Sequence, residues 1–359
     1  MTYTIPLLEN PQKFDILRFS PLEPVESLRQ VSAVANRSVL IMPFVTFENA
    51  NAIADKFLTL LSARNITPAQ GTGIEGEFLC LTELIEVWKN PGLAAGADTA
   101  RVLRNAAGIH DFAAKVLSCR DVCEFSEFDE HLKLISTQKL KTTLSQTTEN
   151  DPLDDTARKL VELYVACLAA HSGANIRLDH PTSSKGDNPD ILLTYDGQEW
   201  AIAIKTPRSR QGQSLFENIK KAVDQIERSP AEKGLVVISG KNIIDHQALW
   251  DTQFINLDEA TDALREQLFS IADEAARDRD KGEWDALFAG NKSSPPVLFI
   301  GQSVVLLPTP ASDKTPTPLK VMLACFYGQP ADNRAFELSH SLTHWMQVIL
   351  LGEPGPLPS

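Results

Sequence analysis

The stretch NPDILLTYDGQEWAIAIKTPRS, residues 188–209, constrains the fold of this chain more than any other part of it. Two apolar runs flank Asp196 and Gly197, and an Asp-Gly pair between alternating segments is typical of a two-residue β-hairpin in which both central residues have φ > 0. Such a turn fixes the register of the two strands. It predicts one apolar face, formed by Ile191, Leu193, Tyr195, Trp200, Ile202 and Ile204.

The opposite face of this hairpin brings an acid and a lysine together. If Tyr195 faces Gln198, Asp190 lies opposite Ala203, with Cβ atoms about 5 Å apart. Lys205 follows two residues later on the same face, about 7 Å further along the strand. We therefore expect a carboxylate and an ammonium group on one patch of the sheet.

Pro189, Asp190 and Lys205 make this stretch resemble the PD-(D/E)XK nuclease superfamily, the fold of many restriction enzymes and Holliday-junction resolvases. The resemblance implies an α/β fold with a restriction-endonuclease-like core, αβββαβ, in which helices flank a mixed sheet. It also implies a metal-dependent endonuclease that hydrolyses phosphodiester bonds. In that family the Asp and a second acid hold Mg²⁺ or Mn²⁺, which lowers the pKa of the attacking water, and the lysine orients this water and stabilises developing charge.

Position 203 departs from the family pattern, because alanine stands where the second acid is expected. A single carboxylate supplies too few ligands to bind Mg²⁺ well. In one interpretation the acid has moved to Glu217, twelve residues after Lys205 on the next helix. In another, the chain is an engineered inactive form in which a glutamate at position 203 was replaced. In the last, it is a natural pseudo-nuclease that binds nucleic acid without cutting it.

The flanking helices supply two further candidates by the same resemblance. The helix TARKLVELYVACLAAHSG carries Glu162, at a place from which family members often supply a metal ligand; a solvated helix glutamate is the alternative. The helix SLFENIKKAVDQIER carries Gln225, which resembles a glutamine that many members place near the scissile phosphate. The following segment, KGLVVISG, is apolar throughout, which predicts an interior strand parallel to the strand of Lys205.

The net charge of −13 excludes a surface that is basic throughout. Nucleic acid binding then needs a local patch of Lys and Arg. Five basic residues and a single acid lie between residues 205 and 221. The predicted nucleic-acid-binding residues are Arg208, Arg210 and Lys221 of this segment and Lys185 of the loop before the hairpin; the alternative is a solvated loop and helix face.

The polar joint SQTTENDPLDD predicts two domains. Residues 1–150, with four amphipathic helical segments, form a mostly helical regulatory or partner-binding domain, and residues 151–359 form the nuclease-like domain with a C-terminal extension of sheet and helix. This arrangement is seen in bacterial antiphage and restriction systems, which implies a partner protein or a homo-oligomer. The competing hypothesis is a non-catalytic binding or scaffold protein built on a decayed nuclease core.

Other sequence features bear on the location of the protein and on the groups that it binds. No apolar run reaches the length of a membrane span and no signal-peptide pattern is present, so we expect a cytoplasmic protein that does not bind membranes. The five cysteines are odd in number and scattered along the chain, so we do not expect a disulfide framework. His110 and His131 are interpreted as partly buried histidines and not as ligands. DNA is preferred to RNA as the nucleic acid by analogy with the family.

Overall fold

The computed structural model describes residues 47–68, 70, 73–89, 99–137, 144, 155–182, 188–277, 279–309, 312–328 and 332–348. All of them belong to one compact unit of the chain. The described helices are α1 (Phe47–Ala63), α2 (Gly73–Lys89), α3 (Thr99–Ser118), α4 (Asp129–Thr137), α5 (Asp155–Ser172), α6 (Gly212–Arg228), α7 (His246–Asp251), α8 (Leu257–Ala276), α9 (Lys281–Phe288) and α10 (Asn333–Gln347). The described strands are β1 (Ala174–Leu178), β2 (Ile191–Tyr195), β3 (Gln198–Lys205), β4 (Lys233–Ser239), β5 (Val297–Thr309) and β6 (Ser312–Cys325).

Within the described residues, six strands form one mixed sheet in the order β1-β2-β3-β4-β5-β6. The pairs β1–β2, β2–β3 and β5–β6 are antiparallel, whereas β3–β4 and β4–β5 are parallel. The expected α/β architecture with a mixed sheet is confirmed. The predicted order of helix, three strands, helix and strand is that of α5 through β4, and β4 is an interior strand because it pairs on both sides.

The β2–β3 hairpin has the predicted register. Tyr195 pairs with Gln198 and Ile191 pairs with Ile202. Both turn residues have positive φ, 49° at Asp196 and 74° at Gly197, as a turn of this type requires. The turn therefore sets which side chains of β2 and β3 face each layer of helices.

Helices cover both faces of the sheet, and each face has its own hydrophobic cluster. On one face, α1 to α5 and α10 pack against the side chains of Leu193, Trp200 and Ile202. On the other face, α6 to α9 pack against Ala201 and Ala203 and their neighbours on β4 to β6. The catalytic candidates lie at the start of β2 and the end of β3. There α5 packs on one face of the sheet and α6 packs on the other.

Helices α1 to α4 belong to the first of these clusters and share it with α5 and the sheet. The described residues between 47 and 137 are mostly helical. The predicted division of the chain at residue 150 stays a prediction. None of the described helices combines the length and the apolar character needed to cross a bilayer.

Candidate active site

Asp190 and Lys205 line one cleft, as the hairpin register predicts. The cleft has a volume of about 740 Å³, and its walls come from α5, α6 and the ends of β2 and β3. Glu162 reaches it from α5, and Gln225 and Lys221 reach it from α6. The structure therefore brings together five of the residues predicted from the sequence.

Asp190 is a buried carboxylate with one strong backbone contact. Its side chain is only 6 % exposed, and its Oδ2 accepts a hydrogen bond of 2.6 Å from the backbone N–H of Ile204. Burial and the charge of Glu162 raise the pKa of Asp190 to about 7, although Lys205 and the Ile204 N–H act in the opposite direction. The fold therefore holds this carboxylate in place while disfavouring its charge.

Glu162 is the second carboxylate of the cleft. It is 7 % exposed, so the alternative of a solvated helix glutamate is wrong. Lys159, one turn earlier on α5, donates a hydrogen bond of 2.6 Å to its Oε2. Burial raises the pKa of Glu162, while Lys159 and Lys205 act to lower it. The two buried acids thus lie close enough for the charge of Glu162 to disfavour the charge of Asp190.

Lys205 is held at the end of β3 by a glutamine. Its Nζ donates a hydrogen bond to Oε1 of Gln225, and Nε2 of Gln225 donates one of 3.2 Å to the backbone carbonyl of Asn188. Burial lowers the pKa of Lys205, and the charges of Asp190 and Glu162 oppose this effect. Gln225 therefore fixes the ammonium group relative to the loop that leads into β2.

The structure does not bring Glu217 into the cleft. Glu217 lies eight residues before Gln225 on α6, which corresponds to about 12 Å along the helix axis. Its Oε1 instead accepts a hydrogen bond of 3.0 Å from Nε2 of Gln213. Glu162, and not Glu217, is the carboxylate found beside Asp190.

Ala203 is fully buried and does not line the cleft. It packs among apolar side chains beneath α6. Of the predicted phosphate-binding residues, Lys221 lines the cleft, whereas Arg208 and Arg210 lie in the loop after β3 outside its lining. Lys185 lies outside the described residues.

Basic residues that the sequence did not single out also line the cleft. Arg158 and Lys159 come from α5 and Arg228 comes from α6. The spacing of Lys159 and Glu162, three positions on one helix, is a readable signal for a local ion pair. With Lys205 and Lys221, the cleft has five basic residues against the acids Glu162, Asp190 and Asp224, which gives a local positive surplus in an acidic chain.

His131 of α4, interpreted from the sequence as a partly buried histidine, is fully buried and lies beside Glu162. Its side chain is 1 % exposed, and its Nε2 lies 3.7 Å from Oε2 of Glu162. Burial and the charge of Lys159 lower the pKa of His131 to about 3, so the imidazole is neutral near pH 7. No local sequence pattern predicts this contact, because His131 and Glu162 lie on two different helices, α4 and α5.

The chemistry available to this arrangement is that of two buried carboxylates, one ammonium group and a cationic wall. Carboxylate oxygens are the ligands that Mg²⁺ and Mn²⁺ prefer. Among the described residues, no three His, Cys, Asp or Glu side chains already stand as a ready metal-binding group. Asp190 and Glu162 nevertheless fit a divalent cation, because its charge would offset the burial that raises both pKa values and the charge of Glu162 that also raises the pKa of Asp190.

Comparison of the chain with protein-family models, with curated proteins and with solved structures finds no match.

Proposed function

We propose that the chain is a metal-dependent nuclease that hydrolyses phosphodiester bonds of nucleic acid. The observation that supports this function best is the convergence of Asp190, Glu162 and Lys205 on one cleft whose other charged residues are mostly basic. Metal-dependent hydrolysis of a phosphodiester uses negatively charged and positively charged side chains that lie close together. Carboxylates hold a cation, and cations outside the carboxylate pair neutralise the phosphate.

Asp190 and Glu162 are the residues that would hold Mg²⁺ or Mn²⁺. When bound, such an ion polarises the phosphate and lowers the pKa of a bound water. The hydrogen bond from the Ile204 N–H fixes the Asp190 carboxylate at the mouth of β2. The carboxylate therefore need not reorganise when substrate arrives.

Lys205 orients the attacking water and stabilises charge that develops on the phosphate. Gln225 keeps its ammonium group in position through the hydrogen bond at Oε1. Lys221, Arg158 and Arg228 bind neighbouring phosphates from the two helical walls. DNA as the substrate, a partner protein or second copy of the chain, and a role in antiphage defence or restriction rest on the resemblance to the nuclease superfamily alone.

A plasmid-nicking assay with Mg²⁺ and with Mn²⁺ tests this function. We expect the wild-type chain to nick, and we expect Lys205→Ala to lower the rate by about 100-fold or more. Lys220→Ala is the matched control, because Lys220 is an exposed lysine of α6 that does not line the cleft. Equal rates in the two variants, or nicking that persists in EDTA, would contradict the proposal.

A non-catalytic nucleic-acid-binding protein is the second candidate. The observation that favours it is the buried alanine at position 203, together with the absence of a three-ligand group among the described residues. It predicts binding of nucleic acid without nicking in either metal. Nicking by Ala203→Glu and not by the wild-type chain would identify a site that lost its second acid.

A further inference from the structure

Lys159 and Glu162 form an ion pair inside the candidate active site. The two residues lie three positions apart on α5, and Nζ of Lys159 lies 2.6 Å from Oε2 of Glu162. Their side chains are only 12 % and 9 % exposed, whereas the similarly spaced pair of Lys133 and Glu130 on α4 has side chains that are 50 % and 48 % exposed. Because water and salt screen the buried pair less, its charges interact more strongly than those of the surface pair.

The two ammonium groups nearest to the carboxylates of the cleft are held in different ways. Lys205 donates a hydrogen bond to Gln225, whose amide donates in turn to the backbone carbonyl of Asn188. For Lys159, the carboxylate of Glu162 is the sole hydrogen-bond acceptor within the described part of the chain. Lys159 is therefore held by a carboxylate alone, at the end of a flexible four-carbon side chain that can move away from it.

A divalent cation at Asp190 and Glu162 would place a double positive charge beside this ammonium group. A cation such as Mg²⁺ lies about 2.1 Å from its oxygen ligands, and the ammonium nitrogen lies 2.6 Å from the same carboxylate. Two cations on one carboxylate at these distances repel each other strongly where water is excluded. Because the divalent cation carries twice the charge, its binding favours departure of the ammonium group.

We propose that Lys159 is an exchangeable internal counter-ion, which neutralises Glu162 until a divalent cation binds and is then released to bind a phosphate of the nucleic acid. This inference rests on the proposed function, since it concerns the same cation and the same substrate. Released Lys159 joins Arg158 and Lys221 in the cationic lining of the cleft. The cation and the nucleic acid then bind cooperatively, because the cation frees a phosphate contact that is otherwise occupied.

Amine labelling of the wild-type chain tests the release of Lys159 directly. An acetylating reagent modifies a lysine only while its side chain is accessible, and peptide mass spectrometry measures the rate at each position. We expect Mn²⁺ to raise the labelling rate of Lys159 by about threefold or more relative to EDTA, because the buried ion pair opens. Lys133 is the matched control, because its pair with Glu130 is exposed and lies outside the lining of the cleft. Its labelling rate should be the same in both solutions.

Calorimetry with Mn²⁺ measures how strongly Lys159 competes with the cation. Lys159→Met removes the competing charge and keeps a side chain of similar length, so we expect it to bind Mn²⁺ about tenfold more tightly than the wild-type chain. Arg158→Met is the matched control, because Arg158 is an adjacent, exposed cation that also lines the cleft. It should bind Mn²⁺ within about threefold of wild type, since an exposed charge is screened. Equal gains in the two variants would overturn the specific role of Lys159.

The salt dependence of nucleic acid binding tests where the released ammonium group goes. The probe is a fluorescently labelled phosphorothioate oligonucleotide, which keeps its backbone charge and resists hydrolysis. In EDTA, the wild-type chain and Lys159→Met should give the same slope of log affinity against log salt, because Lys159 is paired with Glu162. In Mn²⁺, the wild-type slope should exceed that of the variant in magnitude by about 0.7 to 0.9, which is one phosphate contact. Equal slopes in Mn²⁺ would contradict the proposed phosphate contact.

The outcomes separate this inference from the proposed function. If Mn²⁺ binds and the chain nicks plasmid while Lys159 stays protected from labelling, the exchange is overturned and the nuclease stands. If Mn²⁺ releases Lys159 in a chain that does not nick, the exchange is supported and the nuclease is contradicted. A wild-type chain that neither binds Mn²⁺ nor nicks overturns both. The labelling experiment uses the wild-type chain, so a folding defect in Lys159→Met does not remove the test.

Discussion

At the scale of single residues, Asp190 serves the fold and the site in opposite ways. Its hydrogen bond with the Ile204 N–H joins the start of β2 to the end of β3. Its charge, however, is disfavoured by burial and by Glu162. A group that costs stability in the isolated chain, but lies in a cleft beside a lysine, is typical of functional sites.

The stability of Asp190→Asn should therefore depend on pH. The pKa of Asp190 is raised from 3.8 to about 7 by folding, so its ionisation in the fold costs about 4 kcal/mol relative to the unfolded chain. This cost is absent below the unfolded pKa, grows as the pH rises and is complete above the folded pKa. In EDTA, we expect Asp190→Asn to be more stable than wild type at pH 8 and to lose most of this advantage by pH 4.

Urea unfolding at the two pH values measures this difference. Mn²⁺ should stabilise the wild-type chain at pH 8 and have little effect on Asp190→Asn, since ligand binding to the folded state alone raises stability. If the variant is equally destabilised at both pH values, ionisation of the Asp190 carboxylate does not lower the stability of the fold.

Ala203 leads to a second residue-scale prediction. Its side chain is fully buried among apolar neighbours, so Ala203→Glu should lower the free energy of unfolding by about 3–5 kcal/mol at pH 8. Ala203→Met is the control that adds length without charge. Unchanged stability of Ala203→Glu, together with tighter Mn²⁺ binding, would mean that a glutamate at 203 reaches the cation.

At the scale of elements, the conformation of some strands depends on the local sequence, and that of others depends on contacts with residues far away in the sequence. The β2–β3 hairpin was predictable because its turn and its alternation are both local. Strand β5 was not: the apolar runs PPVLFIG and SVVLLPT by themselves indicate two separate strands, yet one strand runs through Gly301 and Gln302 between them. Added bulk at Gly301 would meet Leu268 within 3.0 Å, and Gln302 bonds to Asp111 and Tyr164. These partners are invisible in a local pattern.

The pair of Asp111 on α3 and Lys320 on β6 should be strongly coupled. Lys320 Nζ donates to Oδ1 of Asp111, and both side chains are buried. Asp111→Asn should cost about 3–5 kcal/mol because it leaves a buried ammonium group without its partner. The double variant with Lys320→Met should recover part of this loss. Additive losses in a double-mutant cycle would contradict the coupling.

The same pair gives a pH dependence of the opposite sign to that of Asp190. Lys320 and Lys115 lower the pKa of Asp111 despite its burial. Its stabilising contribution is therefore complete above the unfolded pKa and is lost as the pH falls through the lower folded pKa. Below about pH 4, the wild-type chain should lose stability more steeply than Asp111→Asn, as urea unfolding can show. Parallel pH curves for the two chains would contradict this.

At the scale of the whole molecule, a net charge of −13 surrounds a cleft with a positive surplus. Nucleic acid should therefore bind through a few contacts at the cleft and not along an extended surface. The sequence predicted the acid, the lysine, the glutamine and Glu162, because a hairpin and two helices define them. It did not predict the contact between His131 and Glu162, because this contact depends on how α4 packs against α5.

The salt dependence of binding tests this distribution of charge. Fluorescence anisotropy with a labelled oligonucleotide in EDTA should give a shallow slope of log affinity against log salt. Lys221→Ala should reduce its magnitude by about 0.7 to 0.9, whereas Lys220→Ala should leave it unchanged. The two lysines are adjacent and exposed, but only Lys221 lines the cleft. Equal effects of the two variants would argue against binding at the cleft.

The most direct measurement of the central claim compares two carboxylates in one nicking assay with Mn²⁺. Asp190 lies in the cleft, and Glu217 lies outside it on α6. We predict that Asp190→Asn lowers the nicking rate by more than about 100-fold and that Glu217→Gln leaves it within about twofold. Loss of nicking in Glu217→Gln with full activity in Asp190→Asn would contradict the account.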